Sequence, residues 1–300
     1  MYKRQVKNWY YHFNGKKYFA LYDNGGTFKG FVEEGTLKKA SNPGGIWRST
    51  NQYISVTKNN WTIWKDFNFN SGYSTQLLYQ RTYRVTGYYN HLNGSKYLSV
   101  YDNKGIWQGY LNIGGTESVK TPGGKWYGTN QYITVTKNDW TIWKDFNFKN
   151  GSSTKRLYQR TYRVTGWYSH YNGSKYLSVY DNKGKWLGYL NERGAQSVNN
   201  PGGRWNGVNQ YISVTKNNWT IWKDFNFKNG SSTKNLYQRT YRVTGWYSHY
   251  NGSKYLSVYD NKGKWLGYLN ADGAQVINNP GGRWNSTNQY VTVKKNNCLL

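Results

Sequence analysis

One period runs through nearly the whole chain. The hexapeptide TYRVTG begins at Thr82, Thr161 and Thr240, a spacing of 79 residues each time. Asp23, Asp102, Asp181 and Asp260, each in a Tyr-Asp-Asn, keep the same interval, as do Trp61, Trp140 and Trp219. So do the four prolines, Pro43, Pro122, Pro201 and Pro280, each opening a Pro-Gly-Gly. A fixed period of this length means one folding unit copied in tandem, which excludes a single large domain built around one core. Residues 161–190 and 240–269 are identical, which points to recent duplication.

Periodicity does not set the phase. Pro-Gly-Gly joins a fixed φ to two permissive residues, so it is the best linker candidate within the period. Cutting there gives whole units at 46–121, 125–200 and 204–279, a partial unit at 6–42, and the start of another at 283–297.

Within a unit the pattern is that of strands. YISVTKNNWTIW is rich in β-branched and aromatic residues, with Asn-Asn placed as a tight turn at its centre. Asn172-Gly173 lies between two aromatic runs, the strongest short hairpin signal, and DNKG (181–184) turns the chain again. Along 176–180, Leu177 and Val179 alternate with Tyr176, Ser178 and Tyr180. No period near 3.6 occurs. Several short strands in such a unit predict an all-β barrel or sandwich.

The mean hydropathy of −0.96 would lean toward disorder, but 16 Trp, 32 Tyr and 10 Phe offset it. Each large ring buries ~150–250 Å², so few are needed to fill a small core. No stretch approaches the ~20 apolar residues of a membrane span. Cys298 is the single cysteine, so disulfides do not hold the chain together.

Charge carries the functional signal. The formal net charge is +28, from 41 Lys and Arg against 13 Asp and Glu. The unit 161–239 holds eleven basic residues against Asp181, Glu192 and Asp224, so the excess is built into the repeat. Such a surface suits a polyanion, whose condensed counterions are released on binding. The bland alternative is a basic face kept for solubility. Lysine outnumbers arginine, which favours diffuse point-charge contacts over bidentate ones.

A unit reading VTKNNWTIWKDFNF…YQRTYRVTGWYSHYNGSKYLSVYDNKGKWLGYLN resembles a GW module, the SH3-like barrel found in tandem in surface proteins and autolysins of Gram-positive bacteria, with lactobacilli as the nearest pattern. The resemblance covers nearly all of residues 6–297. The Gly-Trp that names the family is Gly109-Tyr110, Gly188-Tyr189 and Gly267-Tyr268 here, and Gly30-Phe31 in the partial unit. It implies a tandem array of SH3-like barrels, secreted and associated with the cell wall as part of a larger autolysin or adhesin. The implied partner is lipoteichoic acid, teichoic acid or another anionic wall glycopolymer, with heparin-like polyanions as a further class. The array is expected to be monomeric.

The cations nominated for polyanion contact are Lys58, Lys65, Arg84, Lys96 and Lys104, with Lys137, Lys144, Arg163, Lys175 and Lys183, then Lys216, Lys223, Arg242, Lys254 and Lys262. Trp107, Tyr110, Trp186, Tyr189, Trp265 and Tyr268 are candidates for stacking on sugar rings, with edge packing equally open. Trp61, Trp64, Phe67, Phe69 and their copies read as core. His12, His91, His170 and His249 share one repeat position and read as half-exposed strand residues, too sparse for a metal site. Asp66, Asp145 and Asp224 have no second carboxylate or histidine at a regular spacing, so no acid–base pair can be nominated. The chain therefore reads as a binding protein with no cofactor and no enzyme chemistry of its own. The alternatives are a glucan- or choline-type carbohydrate-binding repeat, whose ~20-residue period differs, and a nonspecific binder of nucleic acid or heparin.

The pattern breaks at both ends. Cys298 stands where Trp219 predicts a tryptophan, and residues 1–5 (MYKRQ) precede the first repeat-like residue, Val6. MYKRQ and CLL (298–300) match translations of the two strands of a transposon mosaic end. Residues 1–5 and 298–300 are therefore expected to be non-native.

Overall fold

The structure, a computed structural model, describes residues 4–292. Cys298, and the sequence expectations at 1–3 and 293–300, lie outside the described residues. The described residues divide into two compact units, one of residues 4–130, 137–156 and 164–195, the other of 131–136, 157–163 and 196–292.

The fold is all-β, with short 3₁₀ turns and no α-helix among the described residues. Strands β1 (Gln5–Tyr11), β2 (Lys17–Tyr22) and β3 (Phe28–Glu33) form a three-stranded antiparallel sheet. The first seven-stranded sheet holds β4 (Arg48–Val56), β5 (Thr62–Trp64), β6 (Gly72–Ser74), β7 (Thr82–Asn90), β8 (Lys96–Tyr101), β9 (Trp107–Asn112) and β10 (Thr116–Val119). Its order is β10-β4-β7-β8-β9-β5-β6. The second holds β11 (Trp126–Val135), β12 (Thr141–Trp143), β13 (Gly151–Ser153), β14 (Thr161–Ser169), β15 (Lys175–Tyr180), β16 (Trp186–Asn191) and β17 (Ala195–Val198). The third holds β18 (Trp205–Val214), β19 (Thr220–Trp222), β20 (Gly230–Ser232), β21 (Thr240–Ser248), β22 (Lys254–Tyr259), β23 (Trp265–Asn270) and β24 (Ala274–Ile277). Both repeat the order of the first. The hydrogen-bonded order has two ends in each sheet, so no ring of strands closes.

The central meander follows from local chemistry. Between β7 and β8, His91 N–H donates to Ser95 O and Gly94 adopts φ 89°, as the Asn-Gly turn requires. Between β8 and β9, the Asp102 carboxylate accepts the Lys104 and Ile106 amides, both at 2.9 Å. One expectation fails. The stretch YISVTKNNWTIW is no hairpin: β4 pairs with β7 and β10, whereas β5 pairs with β6 and β9. Both edges of β4 are already occupied, so Asn59-Asn60 lies in a crossover instead of a two-strand turn.

Each face of the meander is buried by something different. On one face Ile54, Val56, Ile63, Leu78, Tyr83, Val85, Leu98, Val100 and Leu111 make a core, and Ile212, Val214, Ile221, Tyr241, Val243, Leu256, Val258 and Leu269 make its counterpart in the third sheet. On the other face the rings of Phe67, Phe69, Tyr89 and Tyr97 gather, so Tyr97 and Ser99 are buried as well. Of the four aromatics read as core, only Phe67 is fully buried; Trp61, Trp64 and Phe69 are half-buried at its margin.

Pro-Gly-Gly is a packed joint instead of a free linker. A Cβ on Gly44 would lie 2.3 Å from the Phe67 ring, and one on Gly123 2.2 Å from Phe146, so only glycine lets the chain approach. Pro43 O accepts the Leu92 amide at 2.8 Å, tying the segment to the repeat that follows it. In the first unit it is tied backward too: Lys125 N–H donates to Ser55 Oγ (2.9 Å) and Thr82 Oγ1 donates to Ser169 O (2.6 Å). In the second unit Arg204 N–H donates to Thr134 Oγ1 at 2.9 Å in the same way.

Candidate ligand-binding surface

The nominated cations are spread over turns and strands of each repeat, not gathered into one pocket. Lys58, Lys137 and Lys216 are exposed in the crossover that follows the first long strand. Their carbonyls accept Thr75, Thr154 and Thr233 Oγ1 at 2.7 Å, which fixes the backbone beneath the side chains. Lys104, Lys183 and Lys262 stand exposed on the aspartate-closed turns. None of these six forms an ion pair among the described residues. Arg84 and Arg242 are exposed and donate Nε–H to Asn51 and Asn209 Oδ1 at 3.1 Å. Arg163 is exposed at the same repeat position.

The remaining cations lie against rings. Lys65, Lys144 and Lys223 place Nζ 4.8, 4.6 and 4.8 Å from the ring centres of Trp107, Trp186 and Trp265. Lys65 Nζ also donates to Gln108 O at 2.8 Å. Lys96, Lys175 and Lys254 sit 4.6, 4.8 and 4.3 Å from Tyr88, Trp167 and Trp246. Lys175 is also ion-paired with Glu192 at 2.8 Å. The positive charge thus lies on an aromatic surface, where a lysine keeps its ammonium in water while its stem covers carbon.

One set of carboxylates, Asp66, Asp145 and Asp224, is used internally. Asp66 accepts the amides of Asn68 (2.8 Å), Asn70 (3.2 Å) and Ser71 (2.8 Å), closing the loop that carries Phe67 and Phe69. Desolvation raises its pKa, yet the backbone donors outweigh it and hold the carboxyl below its ordinary 3.8. Asp145 and Asp224 repeat the arrangement. Phe69, Phe148 and Phe227 take φ of 62°, 58° and 59° there, a left-handed conformation unusual for a bulky residue.

The nominated sugar-stacking rings are already engaged. Tyr110, Tyr189 and Tyr268 each stack on a phenylalanine (Phe67, Phe146 or Phe225) at 4.0 Å between ring centres. Burial, with Tyr89 adding to it, pushes the Tyr110 hydroxyl up to about 12. Trp107, Trp186 and Trp265 donate Nε1–H to Ser99, Ser178 and Ser257 Oγ at 3.1, 3.1 and 3.2 Å. All six are half-buried.

The histidines differ from expectation. His91, His170 and His249 are 7%, 5% and 5% exposed and lie in the loop after the strand, not within it. Each Nδ1 accepts the amide two residues on, so Nε2 carries the proton and donates to Phe67, Phe146 or Phe225 O at 2.9 Å. Burial lowers the pKa of His170 and His249 below 6.5, against the opposing hydrogen bonds. They brace the Phe-bearing loop.

Sequence reasoning missed one set of residues. Trp47, Trp126 and Trp205, each three residues after a repeat's first Pro-Gly-Gly glycine, are 49%, 50% and 53% exposed. A Cβ on Gly87, Gly166 or Gly245 would fall 1.9, 1.9 or 2.0 Å from the indole Nε1, so each ring lies directly over a glycine of the neighbouring strand. The available signal was a tryptophan at constant phase, with a glycine 40 residues later in every copy.

Within the first unit a cleft of about 580 Å³ is lined by Tyr73, Arg81, Tyr83, Asp102, Asn103, Gln108 and Tyr171, among others. Its polar groups hold one another. Tyr73 OH donates to Gln108 Oε1 (3.0 Å), Gln108 Nε2 to Asp102 Oδ2 (3.0 Å), and Tyr171 OH to Asp102 O (2.6 Å).

No known protein family and no curated protein matches the chain. Among solved structures, a Listeria monocytogenes chain described as a candidate autolysin aligns with 76% of this chain and 97% of its own length. The identity is 10% and the TM-score 0.27.

Proposed function

We propose that the chain is a tandem binding array that holds an anionic cell-wall glycopolymer of the lipoteichoic or teichoic acid type. In this reading each repeat is a GW-type module related to the SH3-like barrels, with its hydrogen-bonded strand order left open, and the array anchors a larger secreted autolysin or adhesin to the wall without covalent attachment. The carrying observation is the recurrence, in three repeats, of exposed lysines with no carboxylate partner among the described residues: Lys58 and Lys104, Lys137 and Lys183, Lys216 and Lys262. The aspartates beside Lys104, Lys183 and Lys262 each turn one carboxylate oxygen to backbone amides of the turn. A flexible, repetitive polyphosphate needs no shaped pocket, only cations at intervals, and weak contacts at each repeat add up through effective concentration.

The test is binding of the purified chain to lipoteichoic acid, wall teichoic acid, peptidoglycan, heparin and DNA, each across a salt titration. The proposal expects teichoic acids to bind at low salt, with affinity falling steeply as salt rises, and to exceed heparin and DNA at matched charge. Equal affinity and equal salt slope for every polyanion would reduce the surface to nonspecific electrostatics. Absence of teichoic acid binding at low salt would end the proposal.

A further inference from the structure

The lysines account for attraction to phosphate but leave the exposed tryptophans unexplained. Trp205 shows the geometry most fully. Gly207 and Gly245 are cross-strand partners in the β18–β21 pair. A Cβ on Gly207 would approach the six-membered ring at 3.0 Å, and one on Gly245 the Nε1 edge at 2.0 Å. The indole therefore lies along both strands over a pair of glycines, one face against backbone and the other toward solvent at 53% exposure. Trp126 repeats this over Gly128 (3.1 Å) and Gly166 (1.9 Å). Trp47 lies over Gly87 alone, since Ser49 replaces the other glycine.

Two glycines facing each other weaken a strand pair, and they persist where something must approach the backbone closely. Here that something is the indole, so the chain gives up strand stability to hold a large apolar ring half in water. Its neighbours drift from copy to copy while the ring stays: Ile46-Trp47-Arg48, Lys125-Trp126-Tyr127, Arg204-Trp205-Asn206. A ring serving only to cover backbone has no reason to keep half its surface exposed.

The lysine-bearing aromatics begin at the next position of the partner strand. Trp205 is the cross-strand partner of Tyr247, which meets Phe225 at 4.7 Å and Tyr268 at 5.3 Å. Tyr268 meets Trp265 at 5.1 Å, and the Lys223 ammonium lies 4.8 Å from Trp265. The open indole thus stands on the same strand pair as a ring cluster that carries a cation. A pyranose has one such complementary surface: its axial C–H bonds form a weakly positive, apolar face that matches the negative face of an aromatic ring. A bare polyol phosphate has none.

Resting on the binding function proposed above, we infer that Trp47, Trp126 and Trp205 are stacking platforms for hexopyranose rings carried on the anionic polymer. The array reads sugar substitution as well as charge. The ligand class is a glycosylated polyol phosphate.

The experiment compares two polymers of matched length and charge, unsubstituted poly(glycerol phosphate) and the same chain bearing hexopyranosyl groups, by titration calorimetry at one low salt concentration. The full chain is expected to bind the substituted polymer about tenfold or more tightly, a preference worth ~1.4 kcal/mol per decade. Trp47→Ala/Trp126→Ala/Trp205→Ala together should erase that preference and leave affinity for the bare polymer unchanged. Gly87→Ala/Gly166→Ala/Gly245→Ala, which lifts the rings while keeping every tryptophan, should do the same. Circular dichroism and melting report folding of each variant. Should a triple variant fail to fold, a neutral hexose oligosaccharide titrated into the unaltered chain must shift the indole N–H resonances of these three tryptophans. Equal affinity for both polymers, a preference that survives the tryptophan triple, or no resonance shift overturns the inference. Tryptophan-dependent binding of the substituted polymer with no binding of the bare one would keep the platforms and overturn the charge-based function.

Discussion

Residues 5–33 and 84–112 have corresponding sequences and form the same three-stranded meander, yet they are buried very differently. In the full repeat the aromatic face is roofed by the loop carrying Phe67 and Phe69. Tyr110 stacks on Phe67 and His91 is closed in. In the three-stranded sheet the corresponding Phe31 is 57% exposed, every residue of β1 is exposed, and Tyr10 meets only Tyr18, Phe31 and His12 among the described rings. The turns survive in both: Asn14 N–H still bonds His12 Nδ1 (3.1 Å), and the Asp23 carboxylate still accepts Gly25 and Thr27 amides. The comparison separates two causes. The same two turns accompany the meander in both regions, whereas in the full repeat the preceding strands and the Asp66 loop bury it and complete the aromatic cluster.

Three perturbations would break or sharpen that contrast. The largest effect is expected from Phe67→Ala, which removes the ring packed on Gly44, Tyr89 and Tyr110. Truncating a buried phenylalanine costs about 3–5 kcal/mol. Hydrogen exchange should show β7–β9 losing protection toward that of β1–β3, while the third sheet is unchanged. Unaltered protection would mean that the loop is not the roof.

A middle-sized effect is expected from pH. His170 and His249 are held neutral, with folded pKa values lowered by burial. The stability they contribute is fully present above the ordinary value of about 6.5 and is lost as pH falls below it toward the lowered folded values. Urea midpoints followed by tyrosine and tryptophan fluorescence should fall across that window, and NMR titration of the two rings should give values under 6.5. Titration at or above 6.5 would contradict the closed loop.

The smallest effect concerns Gln80, Gln159 and Gln238, held at φ of 60°, 58° and 59°. Gly at each site should stabilise its repeat by about 0.5–1 kcal/mol, because glycine meets no Cβ clash in that conformation, part of the gain being offset by its greater freedom when unfolded. Thermal melting of the single variants checks the sign.

Much of this was legible in the sequence, and the limit falls where contacts become long-range. The period, the strand class, the Asn-Gly and Asp-Asn turns and the alternation of Leu177 and Val179 are local signals. The partners of β4 are not: its match to β7 and β10 depends on residues about 30 and 65 positions away. The histidines were misjudged because their burial comes from a loop 24 residues earlier in sequence. Nor does alternation reveal that Trp47, Trp126 and Trp205 lie over glycines of another strand. The lysines were legible as charge but not as two kinds, one free on turns and one laid over rings.

The most direct test of the central claim is the salt dependence of teichoic acid binding, measured for the full chain and for Lys58→Gln/Lys137→Gln/Lys216→Gln between about 50 and 200 mM salt. The binding array predicts a linear fall of log K with log salt, and a shallower slope with weaker binding in the triple variant. An affinity indifferent to salt, or a slope unchanged by removing the three lysines, would contradict it.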